Sequence, residues 1–197
     1  TKNELVFNDD KSWISLEDIS PYLINATIST EDKYFYKHIG FDYLRIAKAI
    51  VTNIVKRDKS EGASTITQQY ARNLFLNFEK TWKRKIDEAL LACELEVHYT
   101  KDEILEGYLN TINYGGVYGI EAASKYYFGK TAKDLTLAEA TLLAGIPQSP
   151  SNYSPVKNYK KSKERQKIVL LMMKNNNKIT NEEYNNALNT NLTILGK

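Results

Sequence analysis

Apolar side chains recur at helical spacing along most of the chain. Intervals of three and four residues put apolar groups on one face of a helix, whereas strands alternate every second residue. Two stripes show the helical pattern most clearly: Ile46, Ala47, Ile50, Val51, Ile54 and Val55, and then Ile86, Leu90, Cys93 and Val97. A short extended segment is expected only at residues 5–7, and the sequence contains no internal repeat. The pattern therefore predicts a mainly α fold.

Local polar signals mark where several helices begin and end. Thr100, Thr136 and Thr180 are each followed three residues later by a glutamate. This is the spacing of a capping box, in which the two side chains satisfy backbone donors reciprocally. Each box predicts a helix start. Gly129 predicts a helix end, and the asparagines at 175–177 predict a turn before a short final helix.

Composition narrows the class of protein without identifying it. The 197 residues suffice for one large domain or two small lobes, with 42% hydrophobic and 26% charged residues. The net charge of +3 is too small to indicate nucleic acid. A single cysteine, Cys93, excludes an internal disulfide, and its place in an apolar stripe is typical of a small core residue. No stretch of the sequence resembles a signal peptide or a membrane span.

The first stretch with candidate chemistry combines Glu31 and Asp32 with Phe35, His38 and a turn at 40–42. Two adjacent carboxylates at a helix end, followed by an aromatic turn, form a candidate acid/base site. Composition alone favours the alternative of a solvated helix end with a cap at position 42, since most carboxylates are exposed.

The second stretch, residues 62–69, places small hydroxyl residues before Gln68 and Gln69. Free N–H groups and hydroxyls at a helix N-terminus can bind an anion. The alternative is an ordinary helix start with Ser64 as the N-cap and both glutamines on the surface. The chemistry of the residues alone does not choose between them.

The third stretch, residues 72–88, is rich in cations. Arginine and lysine together suit a diphosphate, the first through forked hydrogen bonds and the second as a point charge. Its cations are Arg72, Lys80, Lys83, Arg84 and Lys85, and they alternate with acidic residues. The alternative is a solvated basic face with an Arg84–Glu88 ion pair. No interleaved aromatic residues support binding of a nucleic-acid strand.

The fourth stretch, residues 106–119, combines asparagine, tyrosine and clustered glycine. Amides suit sugar hydroxyls and aromatic rings suit sugar faces, so a sugar site is one interpretation of Tyr108, Asn110 and Tyr114. The other is a loop between helices, with Tyr108 and Leu109 in the core. None of the four stretches identifies a function alone.

In this order the stretches resemble the motifs of glycosyltransferase family 51, the peptidoglycan glycosyltransferases. A fifth motif follows them, and the resemblance spans residues 13–180. The matching positions are Glu31, Asp32, Phe35, His38, Gly40 and Asp42; residues 62–69; Arg84, Lys85 and Glu88; Ile104, Tyr108, Leu109, Asn110, Tyr114, Gly115, Gly119 and residues 121–123; and Leu137, Glu139, residues 142–145 and residues 147–150. Five ordered motifs are far more specific than any one of them.

The resemblance implies a lysozyme-like fold, with a large helical head lobe and a small membrane-facing jaw lobe on either side of a cleft. We expect a leader at residues 1–13, the glycosyltransferase domain at 14–197 and the jaw at about 42–61. The implied reaction joins lipid II units into a β-1,4-linked glycan with inversion and releases undecaprenyl pyrophosphate. In residues 42–59, an apolar stripe against anionic lipid and a stripe packed on the core are equally good interpretations.

The resemblance also implies roles for individual residues. Glu31 is the base that takes the proton of the acceptor hydroxyl, and Asp32 orients it or assists electrostatically. Glu88 is a second essential carboxylate that holds the cations or a divalent metal. The cations that stabilise the pyrophosphate are Arg72, Lys80, Arg84 and Lys85. Further substrate contacts are expected from Phe35, His38, Ser64, Thr65, Gln68, Gln69, Tyr108, Asn110 and Tyr114.

Partners follow from the same resemblance. They are lipid II and the lipid-linked glycan strand, the membrane surface, a moenomycin-type inhibitor and a C-terminal transpeptidase domain in a longer protein; nucleic acid is not expected. No organic cofactor is expected, and the only ion that the resemblance allows is Mg²⁺ or Mn²⁺ near Glu31 or Glu88. The expected location is the outer face of the bacterial cytoplasmic membrane, with an N-terminal transmembrane anchor outside these residues.

Two other classes of protein stay in view. A hydrolase of the same fold would need a general acid for a sugar leaving group and no cluster of cations. A non-catalytic glycan- or lipid-binding module would need neither Glu31 nor Glu88.

Overall fold

A computed structural model describes residues 13–40, 64–75 and 82–196. Within these ranges the chain forms α1 (Pro21–Glu31), α2 (Ile66–Phe75), α3 (Trp82–His98), α4 (Lys101–Thr111), α5 (Ile120–Phe128), α6 (Leu137–Ala144), α7 (Pro150–Tyr153), α8 (Tyr159–Asn175) and α9 (Asn181–Asn189). Short 3-10 turns lie at Leu16–Asp18, Phe35–Lys37 and Ala132–Asp134. These ranges contain no strand, only an isolated bridge between Asn113 and Tyr118. The mainly α prediction is confirmed.

Several predictions fall on residues that the structure does not describe. They are the leader up to residue 12, the extended segment at 5–7, the amphipathic stretch at 42–59 and the jaw lobe at 42–61. Among the described helices, none combines the length and the apolar character needed to cross a bilayer.

The helix boundaries follow the local signals of the sequence. Thr100, Thr136 and Thr180 each accept a hydrogen bond from the backbone N–H three residues on, and the reciprocal glutamate bond is present in all three boxes. Gly129 ends α5 with a left-handed φ of 69°, a conformation that glycine adopts without steric cost. Asn177 also has a positive φ, in the turn predicted at 175–177.

Two groups of helices build the domain. In the first, α1, α6 and α8 pack on one another, and α9 covers α8. The middle helix α6 buries every residue from Ala138 to Ala144. In the second group, α2 packs between α3 and α4. Glu31, the last residue of α1, lies where the first group meets the start of α2.

The apolar stripe of α3 faces outward. Ile86, Leu90 and Val97 are 60%, 65% and 79% exposed, and Cys93 lies exposed among them. The expectation that Cys93 is a core residue is therefore wrong. The physical reason is that α3 packs on its neighbours through the opposite face, which buries Ala92 and Leu95. Helical periodicity identifies an apolar face but does not say what covers it.

Candidate active site

Glu31 is held by a side-chain amide from another helix. Gln69 of α2 donates from Nε2 to Glu31 Oε2 at 3.0 Å. The other end of that amide, Gln69 Oε1, accepts from the hydroxyl of Tyr108 in α4 at 3.1 Å. An ionised carboxylate only accepts, so Glu31 selects the orientation in which the amide NH₂ group faces it, and the tyrosine hydroxyl then donates to the amide oxygen. Three helices thus converge on one carboxylate.

Two buried phenols lie around this carboxylate. Burial and, second, the charge of Glu31 raise the pKa of Tyr108 well above its ordinary value, although the charge of Arg72 opposes the rise. The same two causes, burial first, raise the pKa of Tyr114. Both hydroxyls are therefore protonated at neutral pH, and that of Tyr108 donates to Gln69. Both rings are also fully buried beside Glu31, and their contacts with a sugar stay predictions.

Asp32 faces away from its neighbour Glu31. Its Oδ2 accepts from His38 Nε2 at 2.8 Å and from the backbone N–H of Ile66 at 3.1 Å. Asp32 is almost fully buried. It thus fixes the first residue of α2, the helix that carries Gln69. The predicted effect of Asp32 on Glu31 runs through that helix, with no hydrogen bond between the two carboxylates.

A second charged group fixes the other side of His38. Its Nδ1 lies 3.5 Å from Lys101 Nζ, which itself donates to Glu96 at 2.6 Å. An acceptor-only carboxylate on Nε2 and a donor-only ammonium near Nδ1 select the tautomer with hydrogen on Nε2. The fully buried ring of Phe35 packs edge-on against His38 and lies under Lys101 Nζ, 4.6 Å from its centroid. In this structure Phe35 is buried, whereas His38 is half-buried and bonds Asp32; their contacts with substrate stay predictions.

Glu88 forms the centre of a separate cation cluster. It is fully buried, and Arg84 Nη1 donates to its Oε2 at 2.7 Å while Lys85 Nζ contacts its Oε1. Lys85 also donates to Ser64 Oγ at 2.8 Å, which links α3 to the residues before α2. The side chains of Arg84 and Lys85 keep 18% and 40% of their surface exposed. A buried carboxylate therefore holds two cations in place while they stay accessible to an anion.

The N-cap of α2 differs from the one that the sequence suggested. Thr65 Oγ1 accepts from the backbone N–H of Gln68, and Gln68 Oε1 accepts from the backbone N–H of Thr65. These reciprocal bonds make Thr65 the capping residue, whereas Ser64 faces Lys85. Because both Thr65 and Gln68 are buried and engaged in the cap, they are held away from a ligand surface.

The donor set does not favour a resident divalent metal. Within the described ranges, no three His, Cys, Asp or Glu side chains converge as ligands would. Both oxygens of Glu88 already contact cations, and a Glu31 oxygen contacts an amide NH₂ group. Mg²⁺ and Mn²⁺ prefer several oxygen ligands. The divalent ion remains a prediction from the resemblance, and no step is derived through it.

Known proteins share this arrangement of sequence and fold. The family model described as Transglycosylase matches residues 2–174. The chain belongs to the transglycosylase family. It is 55% identical over 181 residues to penicillin-binding protein 2D of Bacillus subtilis and 46% identical over 183 residues to penicillin-binding protein 1A of Neisseria lactamica, covering 91% and 92% of this chain. The expectation of a peptidoglycan glycosyltransferase domain is thus confirmed.

A solved structure has the same fold. The crystal structure of penicillin-binding protein 1A from Haemophilus influenzae matches with a TM-score of 0.55 and 25% identity, over 93% of this chain and 18% of that one. The chain spans about a quarter of the length of the curated relatives, 26% and 23% for the two named above. The activities and partners of those longer proteins therefore cannot be assigned to this transglycosylase domain from the comparison.

Asn110, a predicted substrate contact of the transglycosylase site, is hydrogen-bonded to the N-terminal segment. Asn110 accepts from the backbone N–H of Ile14 through Oδ1 at 3.0 Å and donates from Nδ2 to Ile14 O at 2.9 Å. One turn earlier, Glu106 accepts from Trp13 Nε1 and from the backbone N–H of Leu16. Asn110 thus holds the N-terminal segment, and the expected leader is attached to α4 at its last residue, Trp13.

The remaining predicted cations differ in how far the structure describes them. Arg72 is half-buried on α2, and its Nε is buried without a hydrogen-bond partner. Lys80 lies outside the described residues.

Sequence analysis missed one residue of the transglycosylase site, Arg165 of α8. Its guanidinium reaches within 3.9 Å of Glu31 Oε1. It occurs in the lysine-rich run at 160–167, which resembles a solvated face. The available signal was its spacing, because Ser162, Val169 and Met173 recur with it at intervals of three and four and are all buried.

Proposed function

We propose that this domain polymerises lipid II into β-1,4-linked glycan strands, with Glu31 as the general base. The family supports glycosyl transfer, and the site supplies what the reaction needs. A sugar hydroxyl is a poor nucleophile, so a positioned carboxylate must take its proton. The observation that carries the proposal is a fixed carboxylate, Glu31, combined with a separate pair of partly exposed cations, Arg84 and Lys85.

The chemical step is a single displacement. The 4-hydroxyl oxygen of the incoming lipid II attacks the anomeric carbon of the lipid-linked strand, and its proton passes to the Glu31 carboxylate. The bond between that carbon and the pyrophosphate oxygen breaks, and its electron pair leaves with undecaprenyl pyrophosphate. Attack from the opposite face inverts the centre, and no covalent enzyme intermediate is needed. The logic is that of inverting glycosidases.

The pyrophosphate leaving group explains why the reaction needs the cations Arg84 and Lys85. A pyrophosphate gains negative charge as the glycosidic bond breaks, and preorganised cations stabilise this charge in the transition state. Arg84 offers a forked donor and Lys85 a point charge, both held by Glu88. A hydrolase with a sugar leaving group would need a proton donor here instead. Glu88, with a cation on each oxygen, is poorly arranged for that task.

The decisive experiment is polymerisation of purified lipid II, with wild type beside Glu31→Gln and products separated by length. The glutamine variant keeps the shape of the side chain but cannot accept the proton. We expect long glycan from the wild type and a loss of about 1,000-fold in rate from the variant, within the range for a general base. Binding of lipid II should persist in both.

Other results would redirect the assignment. Polymer from both proteins at equal rates would remove Glu31 as the base. Shortening of mature peptidoglycan, without polymer from lipid II, would favour a hydrolase. Unchanged binding with no turnover by either protein on any glycan would favour a binding module.

The outward apolar face of α3 supports the membrane surface as a partner. Ile86, Leu90 and Val97 are exposed on the helix whose opposite side carries Glu88. A lipid-linked substrate has its pyrophosphate and its lipid tail joined, so the cation cluster must work next to a membrane. We infer that this face of α3 contacts the lipid surface, because an exposed apolar stripe of this size signals a partner.

The remaining partners are proposals that rest on the family. They are a transpeptidase domain and a membrane anchor elsewhere in a longer protein, a position at the outer face of the cytoplasmic membrane, and inhibition by moenomycin-type compounds. The relatives are penicillin-binding proteins, which supports the transpeptidase domain.

A further inference from the structure

Arg165 is a buried cation beside the base. The residue is only 7% exposed, and its Nη2 lies 3.9 Å from Glu31 Oε1. Its guanidinium carbon lies 6.0 Å from the centre of the Tyr153 ring. Burial lowers the pKa of Arg165, and the charge of Glu31 counters that effect. A guanidinium stays charged even so, and a buried charge is costly unless it is paired.

The pairing of Arg165 is incomplete in this structure. The 3.9 Å separation from Glu31 is an ion pair but is too long for a hydrogen bond. Its Nε is buried with no hydrogen-bond partner. Buried polar groups in proteins are nearly always satisfied, so an unsatisfied donor beside a candidate base calls for a reason.

The fold is arranged to hold Arg165 at this point. The next residue, Gln166, donates from Nε2 to Ala138 O at 2.7 Å and fixes α8 against α6. Gly145, at the end of α6, leaves room for the arginine stem: a Cβ there would lie 2.9 Å from Arg165 Cγ. A larger residue at 145 would push the guanidinium away from Glu31.

We propose that Arg165 is a positioning residue for the base. Gln69 holds Oε2 of Glu31 from α2, and Arg165 faces Oε1 from α8, so that the carboxylate is fixed from two sides. The charge of the guanidinium beside Oε1 favours one orientation of the carboxylate and keeps an acceptor lone pair directed at the incoming hydroxyl. The inference rests on the proposed function, but the contact itself can be tested without it.

Several ionisable groups lie around Glu31 in the described residues. Arg165 lies 3.9 Å from its Oε1, and Arg72 acts through its charge on Tyr108. Tyr108, Tyr114 and the adjacent Asp32 also lie close to it. The two phenols stay neutral, so loss of Arg165 removes a favourable charge from beside Oε1.

The contact is tested by NMR of the side-chain carboxyl carbons in the whole chain at fixed pH, with the Glu31 signal assigned by its loss in Glu31→Gln. In Arg165→Met we expect the Glu31 carboxyl signal to move away from its wild-type position, because the cation 3.9 Å from Oε1 is lost. The matched control is Lys163→Met, on the same helix, whose Nζ bonds Leu188 O and Thr190 O instead.

Polymerisation rates of the same variants distinguish the effect of the Arg165 charge from the effect of its planar geometry. In Arg165→Met we expect kcat to fall by about 100-fold with little change in KM, the cost of a displaced catalytic group. Arg165→Lys keeps the charge but not the planar fork, so its Glu31 carboxyl signal stays near the wild-type position while its kcat stays low. Lys163→Met should keep the wild-type kcat.

Two results would overturn the inference. One is an unchanged Glu31 carboxyl signal in Arg165→Met, which would mean that the two groups do not interact in solution. The other is a shifted signal in Arg165→Met with wild-type kcat in both arginine variants, which would make the contact irrelevant to the reaction. If wild type makes no polymer, the proposed function fails, while the NMR signal still decides whether Arg165 contacts Glu31.

Discussion

The orientation of one amide decides how Glu31 is presented. Gln69 could face the carboxylate with either end, and only the NH₂ end attracts it. The hydroxyl of Tyr108 supports this orientation because it donates to the amide oxygen, and burial raises its pKa so that it keeps its proton. A buried tyrosine can therefore influence the proposed base, Glu31.

Tyr108→Phe should reveal that control. Loss of the hydroxyl leaves Gln69 Oε1 without its donor, so the amide is held less firmly against Glu31. We expect polymerisation to slow by about 10-fold, the value of one net hydrogen bond, and the unfolding free energy to fall by about 1 kcal/mol because an acceptor is left unsatisfied. The rate is measured with purified lipid II.

The matched control is Tyr70→Phe, which removes a buried hydroxyl from the helix that carries Gln69. The pKa of Tyr70 is raised to about 12, chiefly by burial, and its hydroxyl is directed at Gly107 rather than at the site. Equal losses in both variants would show that any lost hydroxyl slows the enzyme, and would remove the special role of Tyr108.

At the scale of elements, the start of α2 is the most constrained point of the site. The carboxylate of Asp32 accepts from Ile66 N, and Thr65 and Gln68 cap each other. Thr65 Oγ1 also donates to Gly40 O at 2.9 Å. Free N–H groups at this helix end are thus satisfied by the protein itself, which argues against the anion site that the sequence suggested at these residues.

The capping boxes make stability depend on pH. Burial alone would raise the pKa of Glu139, but hydrogen bonds from Thr136 and Lys130 outweigh it and keep the pKa below its ordinary value. A depressed pKa stabilises the fold above the unfolded-state value and loses that effect as pH falls through the folded-state value. Glu139 caps α6, the most buried helix.

Glu139→Gln should expose this dependence. Glutamine preserves the box but loses the charge that pairs with Lys130. We expect the variant to be less stable by about 1 kcal/mol at pH 7, with the difference shrinking between about pH 5 and pH 3. Chemical denaturation at pH 7, 5 and 3 measures it. Glu183→Gln, in the exposed box of α9, should change less, and a difference independent of pH at position 139 would contradict the mechanism.

For the whole molecule, the sequence predicted what depends on neighbours in the chain. The three capping boxes and the stop at Gly129 are local, and all four were found. The sequence could not predict contacts between distant segments. Asn110 was predicted to contact a sugar, and only the structure shows that it pairs with Ile14, 96 residues away.

The same limit explains the two errors about charge and burial. Arg165 was overlooked because it lies in a basic run, and charged residues are expected to face solvent. Its spacing nevertheless matched the buried face of α8. Cys93 was assigned to the core, because an apolar stripe on α3 can face either protein or an outside partner. The order of five motifs identified the family, yet it could not say which matched residues contact a substrate and which support those that do.

Cys93 offers a direct test of the outward face of α3. Because it is exposed, it should react completely with a maleimide reporter in the native state, whereas a core thiol would require denaturant. On vesicles containing phosphatidylglycerol, we expect the fluorescence to shift to the blue and the reporter to be protected from an aqueous quencher.

The matched control is the same reporter at Ser151→Cys in Cys93→Ser, on the short helix α7 and exposed. It should respond little to the vesicles. Equal quenching of both reporters with and without vesicles would contradict contact between α3 and the lipid surface.

The hydrogen bonds between α4 and the N-terminal segment have a mechanical consequence. Glu106 and Asn110, one helical turn apart, hold Trp13, Ile14 and Leu16 through four hydrogen bonds. Tension applied to the chain ahead of Trp13 is shared among these bonds and enters the rigid body of α4. Any tether pulling from that side therefore loads the helix that carries Tyr108 before it can strain α1, so the pull reaches Glu31 through Tyr108 and Gln69.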